Sequence, residues 1–191
     1  MKKTFGKKIS IFAVVIVVSV VITLLLPYGL KYVYPLKYEP QITNYAEKYN
    51  LDKYLVMGII SAESGFKTDA KSNKDAFGLM QLKDDTALWC VENLDVDVNA
   101  ENIRSPEANI QLGCAYMRYL IDYFDGNTYN AIAAYNAGMG SVQQWLSDRR
   151  FSDGYGKLTA IPYSETGAYV AKVQKRAKIY RKIYGSNTKS Q

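Results

Sequence analysis

Apolar and polar positions divide the chain into one long apolar segment and a series of shorter amphipathic segments. Residues 9–26 carry no charge, and such a run approaches the length that crosses the hydrocarbon region of a bilayer. From residue 41 onward, apolar residues recur three and four positions apart, and no convincing run of alternating strand residues occurs. The pattern therefore predicts a mainly α, single domain behind one N-terminal transmembrane helix.

Capping residues place the starts of several predicted helices. Asp52 is a suitable N-cap for a helix over residues 52–64, and Asp84 or Asp85 can cap one over residues 86–93. Pro106 suits the first position of a longer helix that ends near residue 124. The remaining predicted helices cover residues 42–49, 127–135, 141–146 and 164–184.

The N-terminal region predicts that the protein is anchored in a membrane. A Lys-rich lead, residues 1–8, precedes a signal anchor at 9–30, and no small-x-small cleavage site follows. The Lys-rich end is expected in the cytoplasm, which makes the protein a single-pass protein of the cell membrane with an extracytoplasmic domain. Secretion after signal cleavage is the alternative. A Tyr- and Pro-rich linker is predicted at 31–40, the domain at 41–184 and a disordered tail at 185–191.

Composition excludes several classes of function. The chain has no His, which removes Ser-His-Asp and Cys-His catalysis and most transition-metal sites, so we expect no metal and no cofactor. The formal charge of +6 resides at the ends: residues 1–30 hold four Lys and residues 171–191 seven Lys or Arg, without acids. The acidic remainder does not favour nucleic-acid binding.

Glu63 is the candidate catalytic residue. Val56, Ile59, Ile60 and Glu63 fall at i, i+3, i+4 and i+7, so the carboxylate lies on a helix face otherwise given to the core. Partial burial disfavours the charged form and raises the pKa, as a general acid requires. A solvated or ion-paired glutamate at a helix end is the alternative, and the spacing alone does not decide between them.

Four motifs in order resemble one known family. They are Glu63-Ser64, Gly78-Leu79-Met80-Gln81, Ala134-Tyr135-Asn136-Ala137-Gly138, and Ile161-Pro162-Tyr163-Ser164-Glu165-Thr166 with Tyr169-Val170. Together they resemble the soluble lytic transglycosylase (SLT) domain family over about residues 41–184. The resemblance implies a lysozyme-like fold, peptidoglycan as the substrate and Glu63 as the catalytic glutamate.

The family mechanism needs one carboxylate. Glu63 would protonate the oxygen between N-acetylmuramic acid (MurNAc) and N-acetylglucosamine (GlcNAc), while the sugar's acetamido group stabilises the developing cation. The ionised Glu63 would then take the proton from the muramoyl 6-hydroxyl, which closes a 1,6-anhydro ring. The resemblance therefore implies a membrane-anchored lytic transglycosylase.

The resemblance also assigns supporting roles to residues between the first two motifs. Ser72 falls where family members place a serine that contacts the acetamido group. Gly78 would permit a tight turn into the cleft, and Gln81 would bind sugar or hold the Glu63 region. Ser64 belongs to the supporting set as the partner of Glu63 in its motif.

The later motifs are expected to supply the opposite side of the cleft. Tyr135 and Asn136 would line it, with the Tyr135 hydroxyl near the catalytic carboxyl or the acetamido group. The alternative is a helix–turn–helix in which Asn136 serves only the turn. Tyr169 would reach Glu63. Glu165 would pair within the protein to support the site, or serve only as a helix-start charge.

The sequence departs from the family at two places. Many members follow GLMQ with an apolar residue and Pro, whereas this chain has Leu82-Lys83-Asp84, so an apolar contact from position 83 to the sugar is not expected. Gly167-Ala168 likewise replaces polar residues that follow ET in the family. Neither change affects the acid.

Cys90 and Cys114 are the two cysteines, both on predicted helices. In an extracytoplasmic domain they are expected to form a disulfide, with two buried free thiols as the alternative.

Two other functions remain open from sequence. A muramidase-type hydrolase would need a water-activating carboxylate, for which Asp69, Asp75 and Asp84 are the nearby candidates. A non-catalytic glycan-binding module of an envelope-spanning machine would need no acid at all. Peptidoglycan and the membrane are the expected partners.

Overall fold

Helices dominate residues 2–185, which are those that the computed structural model describes. The elements are α1 (Lys2–Val33), α2 (Glu39–Lys48), α3 (Lys53–Glu63), β1 (Ala76–Phe77), β2 (Leu82–Lys83), α4 (Asp84–Asn93), α5 (Pro106–Tyr123), α6 (Thr128–Ala137), α7 (Met139–Ser147) and α8 (Ser164–Tyr184). The mainly α prediction is confirmed. The antiparallel hairpin β1–β2 is absent from the prediction because two residues per strand leave no alternation to detect.

The described residues form two compact units, one of residues 2–36 with 183–185 and the other Lys37–Lys182. In the first, Ile11–Val33 has a mean hydropathy of 2.8 and none of it is buried. By length and composition this segment can cross a membrane, and an N-terminal signal sequence has the same properties. α1 continues to Val33 and α2 begins at Glu39, so the non-helical segment between them is residues 34–38. The domain boundaries given from the sequence stay a prediction. Of the predicted tail, 185–191, all but Gly185 lies outside the described residues.

Side-chain caps begin three helices of the second unit, α3, α5 and α6, but not α2, α4 or α7. The Asp52 carboxylate accepts a hydrogen bond from the Tyr54 N–H at 3.0 Å, which confirms the predicted N-cap of α3. Pro106 begins α5, as predicted. The predicted cap of α4 is wrong: the helix begins at Asp84 itself, with Lys83 at the N-cap position. Its two aspartates lie in the first turn, where their negative charges interact favourably with the positive end of the helix dipole.

Helix α3 lies at the centre of the core and approaches α8 closely. Residues 54–62 of α3 are all buried. A Cβ at Gly58 would lie 2.9 Å from the Val173 carbonyl oxygen and 3.1 Å from the Ala177 Cβ, so only glycine permits this spacing. The close approach sets the polar residues of α8 against the C-terminal end of α3.

The structure corrects the predicted disulfide, because Cys90 and Cys114 are both free thiols. Each side chain is 0 % exposed, and Cys90 packs with Leu82, Ala87 and Leu112 in an apolar cluster. Burial raises the pKa of Cys90 to about 12 and that of Cys114 well above the ordinary value, which keeps both protonated. The two residues serve as small apolar side chains in the core.

Candidate active site

Glu63 is the last residue of α3, and its carboxyl group is held in a largely buried position. The Tyr169 hydroxyl of α8 donates a hydrogen bond to Glu63 Oε1 at 2.6 Å. Burial raises the pKa of Glu63 from 4.5 to about 7, although the Tyr169 hydrogen bond and the charge of Lys172 both lower it. Desolvation therefore outweighs the two stabilising contacts, and the group exchanges its proton near neutral pH.

Two cations of α8 bind the carbonyl groups that end α3. Lys172 Nζ donates to the Ala62 carbonyl at 2.6 Å. The Arg176 guanidinium donates to the Ser61 carbonyl and, at 2.8 Å, to the Ser61 hydroxyl. The last carbonyls of a helix lack partners within it and carry partial negative charge. These contacts fix the helix end, and with it the backbone that carries Glu63.

Ser64 and Gln81 tie the loop after α3 to the turn between β1 and β2. The Ser64 hydroxyl donates to the Leu79 carbonyl at 2.8 Å. The Gln81 amide donates to the Ala70 and Gly78 carbonyls, both at 2.9 Å. Gln81 therefore holds the loop beside Glu63, while the sugar contact assigned to it stays a prediction.

Gly78 makes the tight turn that the sequence predicts, with φ at 75° in the region that favours glycine. Its missing side chain also leaves room for Asn109 of α5, because a Cβ would lie 2.8 Å from the Asn109 amide. Asn109 is fully buried; it accepts from the Met80 N–H at 2.7 Å and donates to the Phe77 carbonyl at 3.2 Å. The Asn109 side chain thus supplies hydrogen-bond partners from inside the core to two backbone groups of the turn.

The AYNAG motif forms the end of α6 and lies across the cleft, where it contacts two other motifs. The Tyr135 hydroxyl donates to the Met80 carbonyl at 2.8 Å rather than to Glu63. Asn136 accepts a hydrogen bond at 2.8 Å from the Thr166 hydroxyl of α8. Burial raises the pKa values of Tyr135 and Tyr169 well above the ordinary tyrosine value, so both hydroxyls stay neutral around Glu63.

The cleft has a volume of about 480 Å³. It is lined by most of the predicted site residues, namely Glu63, Ser72, Gln81, Tyr135, Asn136 and Glu165. Ser72 accepts from the Lys74 and Ala76 N–H groups, so its role toward an acetamido group stays a prediction. Lys74 and Lys83 also reach the cleft, and Glu165, exposed at the start of α8, lies 3.9 Å from Lys74 Nζ.

Residues 40–156 match the family model described as the transglycosylase SLT domain, which is more than half of the 191 residues. The chain belongs to this family. In this SLT domain the candidate acid Glu63 ends α3, the GLMQ motif lies in the turn of the β1–β2 hairpin, and the AYNAG motif lies across the cleft.

The SLT domain is similar to parts of longer proteins. It is 34% identical over 155 residues to the soluble lytic murein transglycosylase of Salmonella typhimurium, covering 80% of this chain and 24% of that protein. It is 32% identical over 168 residues to the membrane-bound lytic murein transglycosylase C of Serratia proteamaculans, covering 76% of this chain and 47% of that protein. The chain thus spans about a quarter to a half of the length of these relatives.

Solved structures share the fold of this SLT domain. The lytic transglycosylase Slt of Pseudomonas aeruginosa, solved as an inactive mutant, matches with a TM-score of 0.72 and 34% identity over 80% of this chain and 25% of its own. The 70-kDa soluble lytic transglycosylase of Escherichia coli matches with a TM-score of 0.71 and 31% identity, over 82% of this chain and 26% of its own. The predicted fold class and family are therefore confirmed.

Sequence reasoning misses four residues that shape the site: Asn109, Thr166 as a partner of Asn136, Lys172 and Arg176. Asn109 lies between two apolar residues, Ala108 and Ile110, on a helix that was predicted. Lys172 has no signal in the sequence, because it lies in a basic helix where solvated lysines are the rule.

Proposed function

We propose that this protein is a membrane-anchored lytic transglycosylase that cleaves the MurNAc–GlcNAc β-1,4 bonds of peptidoglycan. The observation that carries the proposal is Glu63, a largely buried carboxyl with a pKa of about 7, bonded to the neutral hydroxyl of Tyr169. A group with that pKa can donate a proton and then accept one near neutral pH.

The reaction uses Glu63 twice. The protonated carboxyl gives its proton to the glycosidic oxygen as the bond from that oxygen to the muramoyl anomeric carbon breaks. The acetamido group of the same sugar stabilises the cation, so no second carboxylate is needed. The Glu63 carboxylate then removes the proton of the muramoyl 6-hydroxyl, whose oxygen bonds to the anomeric carbon. The 1,6-anhydro end forms without water, and Glu63 is protonated again.

The relatives support the substrate and the single-acid role. They bear the names of murein transglycosylases, both soluble and membrane-bound. In the inactive Pseudomonas aeruginosa mutant, a glutamate is replaced by glutamine. A 70-kDa soluble lytic transglycosylase is also known in complex with bulgecin A. Each observation concerns a relative: for this chain the names and the bulgecin complex favour a peptidoglycan substrate, and the inactive mutant favours a catalytic glutamate.

The carboxylates near the cleft favour transglycosylation over hydrolysis. Among the described residues that line the cleft, Glu63 and Glu165 are the acids. Asp69, Asp75 and Asp84 are not part of this lining, and Asp75 and Asp84 are in ion pairs with Lys71 and Arg104. A hydrolase would have to use the exposed Glu165 as its water-activating base.

The anchor proposed for this enzyme is α1. The apolar stretch of α1 can cross a membrane, and the hydroxyls of Ser19 and Thr23 are satisfied inside the helix: Ser19 donates to the Val15 carbonyl and Thr23 to the Ser19 carbonyl, each at 2.8 Å. The full chain should remain in the membrane pellet after an alkaline carbonate wash. Release into the soluble fraction would indicate the secreted form instead.

Product analysis tests the chemistry. The full chain in detergent is incubated with purified sacculi, beside Glu63→Gln and Glu165→Gln, and the released fragments are identified by mass spectrometry. We expect 1,6-anhydro ends from the wild type, no release by Glu63→Gln, and release by Glu165→Gln. Reducing ends without anhydro products would establish a hydrolase. Undiminished digestion by Glu63→Gln would exclude Glu63 as the acid.

A further inference from the structure

Three tyrosines of α5 form a stripe that begins in the cleft and leads away from it. Tyr116, Tyr119 and Tyr123 are spaced three and four residues apart, so they lie on one helix face over about 10 Å. Tyr116 lines the cleft, and its ring centroid is 5.7 Å from that of Tyr135. Together with Trp89 of α4, these three residues are called the aromatic ladder here.

The rings of the aromatic ladder contact one another in sequence. The Tyr116 and Tyr119 planes are within 17° of parallel, with centroids 6.4 Å apart. Trp89 lies beside both, at 6.4 Å from Tyr116 and 4.8 Å from Tyr119. The ring centroids of Tyr119 and Tyr123 are 6.1 Å apart. The ladder is therefore one continuous aromatic surface and not a set of separate exposed rings.

Burial decreases along the ladder with distance from the cleft. Trp89 and Tyr116 are half-buried and pack on the apolar cluster that contains Leu82 and Leu112. Tyr119 is half-buried outside that cluster, and Tyr123 is 41% exposed. The outer half of the ladder thus lies outside that cluster, and its last ring, Tyr123, contacts the neighbouring Phe124 ring at 5.0 Å between centroids. An exposed aromatic surface that is continuous with a cleft is typical of an interaction site.

We infer that the aromatic ladder binds the glycan strand where it continues beyond the cleft, with sugar rings packed on the tyrosine rings. This inference rests on the proposed function, because it takes the polymer in the cleft to be a glycan. A polymer that passes Tyr116 meets Tyr119 next on the same surface. Tyrosine suits a sugar because its ring offers an apolar face and its hydroxyl a polar edge.

The test compares long and short substrates with the full chain in detergent. The long substrate is intact sacculi, and the short one is a set of soluble fragments from a partial muramidase digest of the same sacculi. Tyr123→Ala should lower kcat/KM on sacculi roughly three- to tenfold, the range for one lost aromatic contact, and leave the short fragments unaffected. Tyr119→Ala should act in the same direction.

Two variants separate ring stacking from other effects. Tyr123→Phe keeps the ring but removes the hydroxyl, including its hydrogen bond from Gln143, and should behave as the wild type. Tyr155→Ala removes a tyrosine that is 95% exposed in the loop before α8, and should leave both substrates unchanged. An equal loss on long and short substrates in Tyr123→Ala would overturn the inference, since it would indicate a structural role.

A binding measurement is independent of turnover. In the Glu63→Gln background, adding Tyr123→Ala should reduce co-sedimentation with sacculi by a similar factor. In addition, a Trp145→Phe variant leaves Trp89 as the single tryptophan, and its fluorescence should respond to long strands but not to short fragments.

The outcomes keep the two proposals apart. If Glu63→Gln digests sacculi as the wild type does, the proposed function fails. If Glu63→Gln is inactive but the ladder variants bind and cleave long strands as well as the wild type does, the ladder inference fails alone. Unchanged Trp89 fluorescence with long strands would contradict it as well.

Discussion

Replacing Glu63 by glutamine should stabilise the protein at neutral and alkaline pH. The wild-type carboxyl titrates at about 7 in the folded state and at 4.5 when it is exposed. The folded state therefore holds the proton more tightly than the unfolded chain does. Glutamine resembles the protonated acid in size and in hydrogen bonding, but it never ionises.

The size of the effect follows from the two pKa values. Wild-type stability is fully present below pH 4.5, where both states are protonated. It falls as the pH rises toward about 7, because the unfolded chain releases a proton that the folded state retains. Above that range the loss is about 3 kcal/mol, the product of the pKa difference and about 1.4 kcal/mol for each pKa unit. Glu63→Gln lacks this loss, so the two proteins should differ little at low pH and by up to about 3 kcal/mol at alkaline pH.

Urea unfolding of the full chain in detergent, at a series of pH values from acid to alkaline, measures the difference directly. Titrating groups elsewhere cancel between wild type and variant. Glu165→Gln controls for the loss of one negative charge at an exposed position. If Glu63→Gln were less stable than the wild type at alkaline pH, or if the difference did not change with pH, then the carboxyl would not be desolvated as the structure indicates.

The contacts of the Glu63 carboxyl predict shifts in the pH dependence of activity. Tyr169→Phe removes a hydrogen bond that favours the carboxylate, so the pKa of Glu63 should rise and the alkaline limb of the rate profile should move up by about one pH unit. Lys172→Met removes a charge that also lowers the pKa of Glu63. A smaller upward move of the alkaline limb is expected, because Lys172 is exposed to solvent. Lys175→Met, an exposed position on the same helix, is the matched control. Initial rates measured across the pH range check both variants, and a downward move would contradict the assignment.

Local patterns in the sequence were sufficient for most of the helices and for the partial burial expected of the Glu63 carboxyl. Asp52 and Pro106 mark helix starts by chemistry that acts within one turn, and both predictions are confirmed. The apolar spacing behind Glu63 is likewise local, and the raised pKa agrees with it. The predicted disulfide failed for the opposite reason. Whether Cys90 and Cys114 bond depends on how α4 packs on α5, which no short pattern specifies.

The contacts of Lys172 and Arg176 with the end of α3 could not be predicted, because they depend on how closely two helices approach. Gly58 lets the backbone of α8 lie against α3, and only at that spacing do Lys172 and Arg176 reach the last carbonyls of α3. In the sequence these two residues belong to a basic helix with many exposed cations. Lys172 and Arg176 differ from Lys175 and Lys178 in the side of α8 on which they lie, because the first two face α3. The motifs in the sequence therefore pointed to Glu63 and to Tyr169, whereas the two cations that hold the end of α3 were found only from the fold.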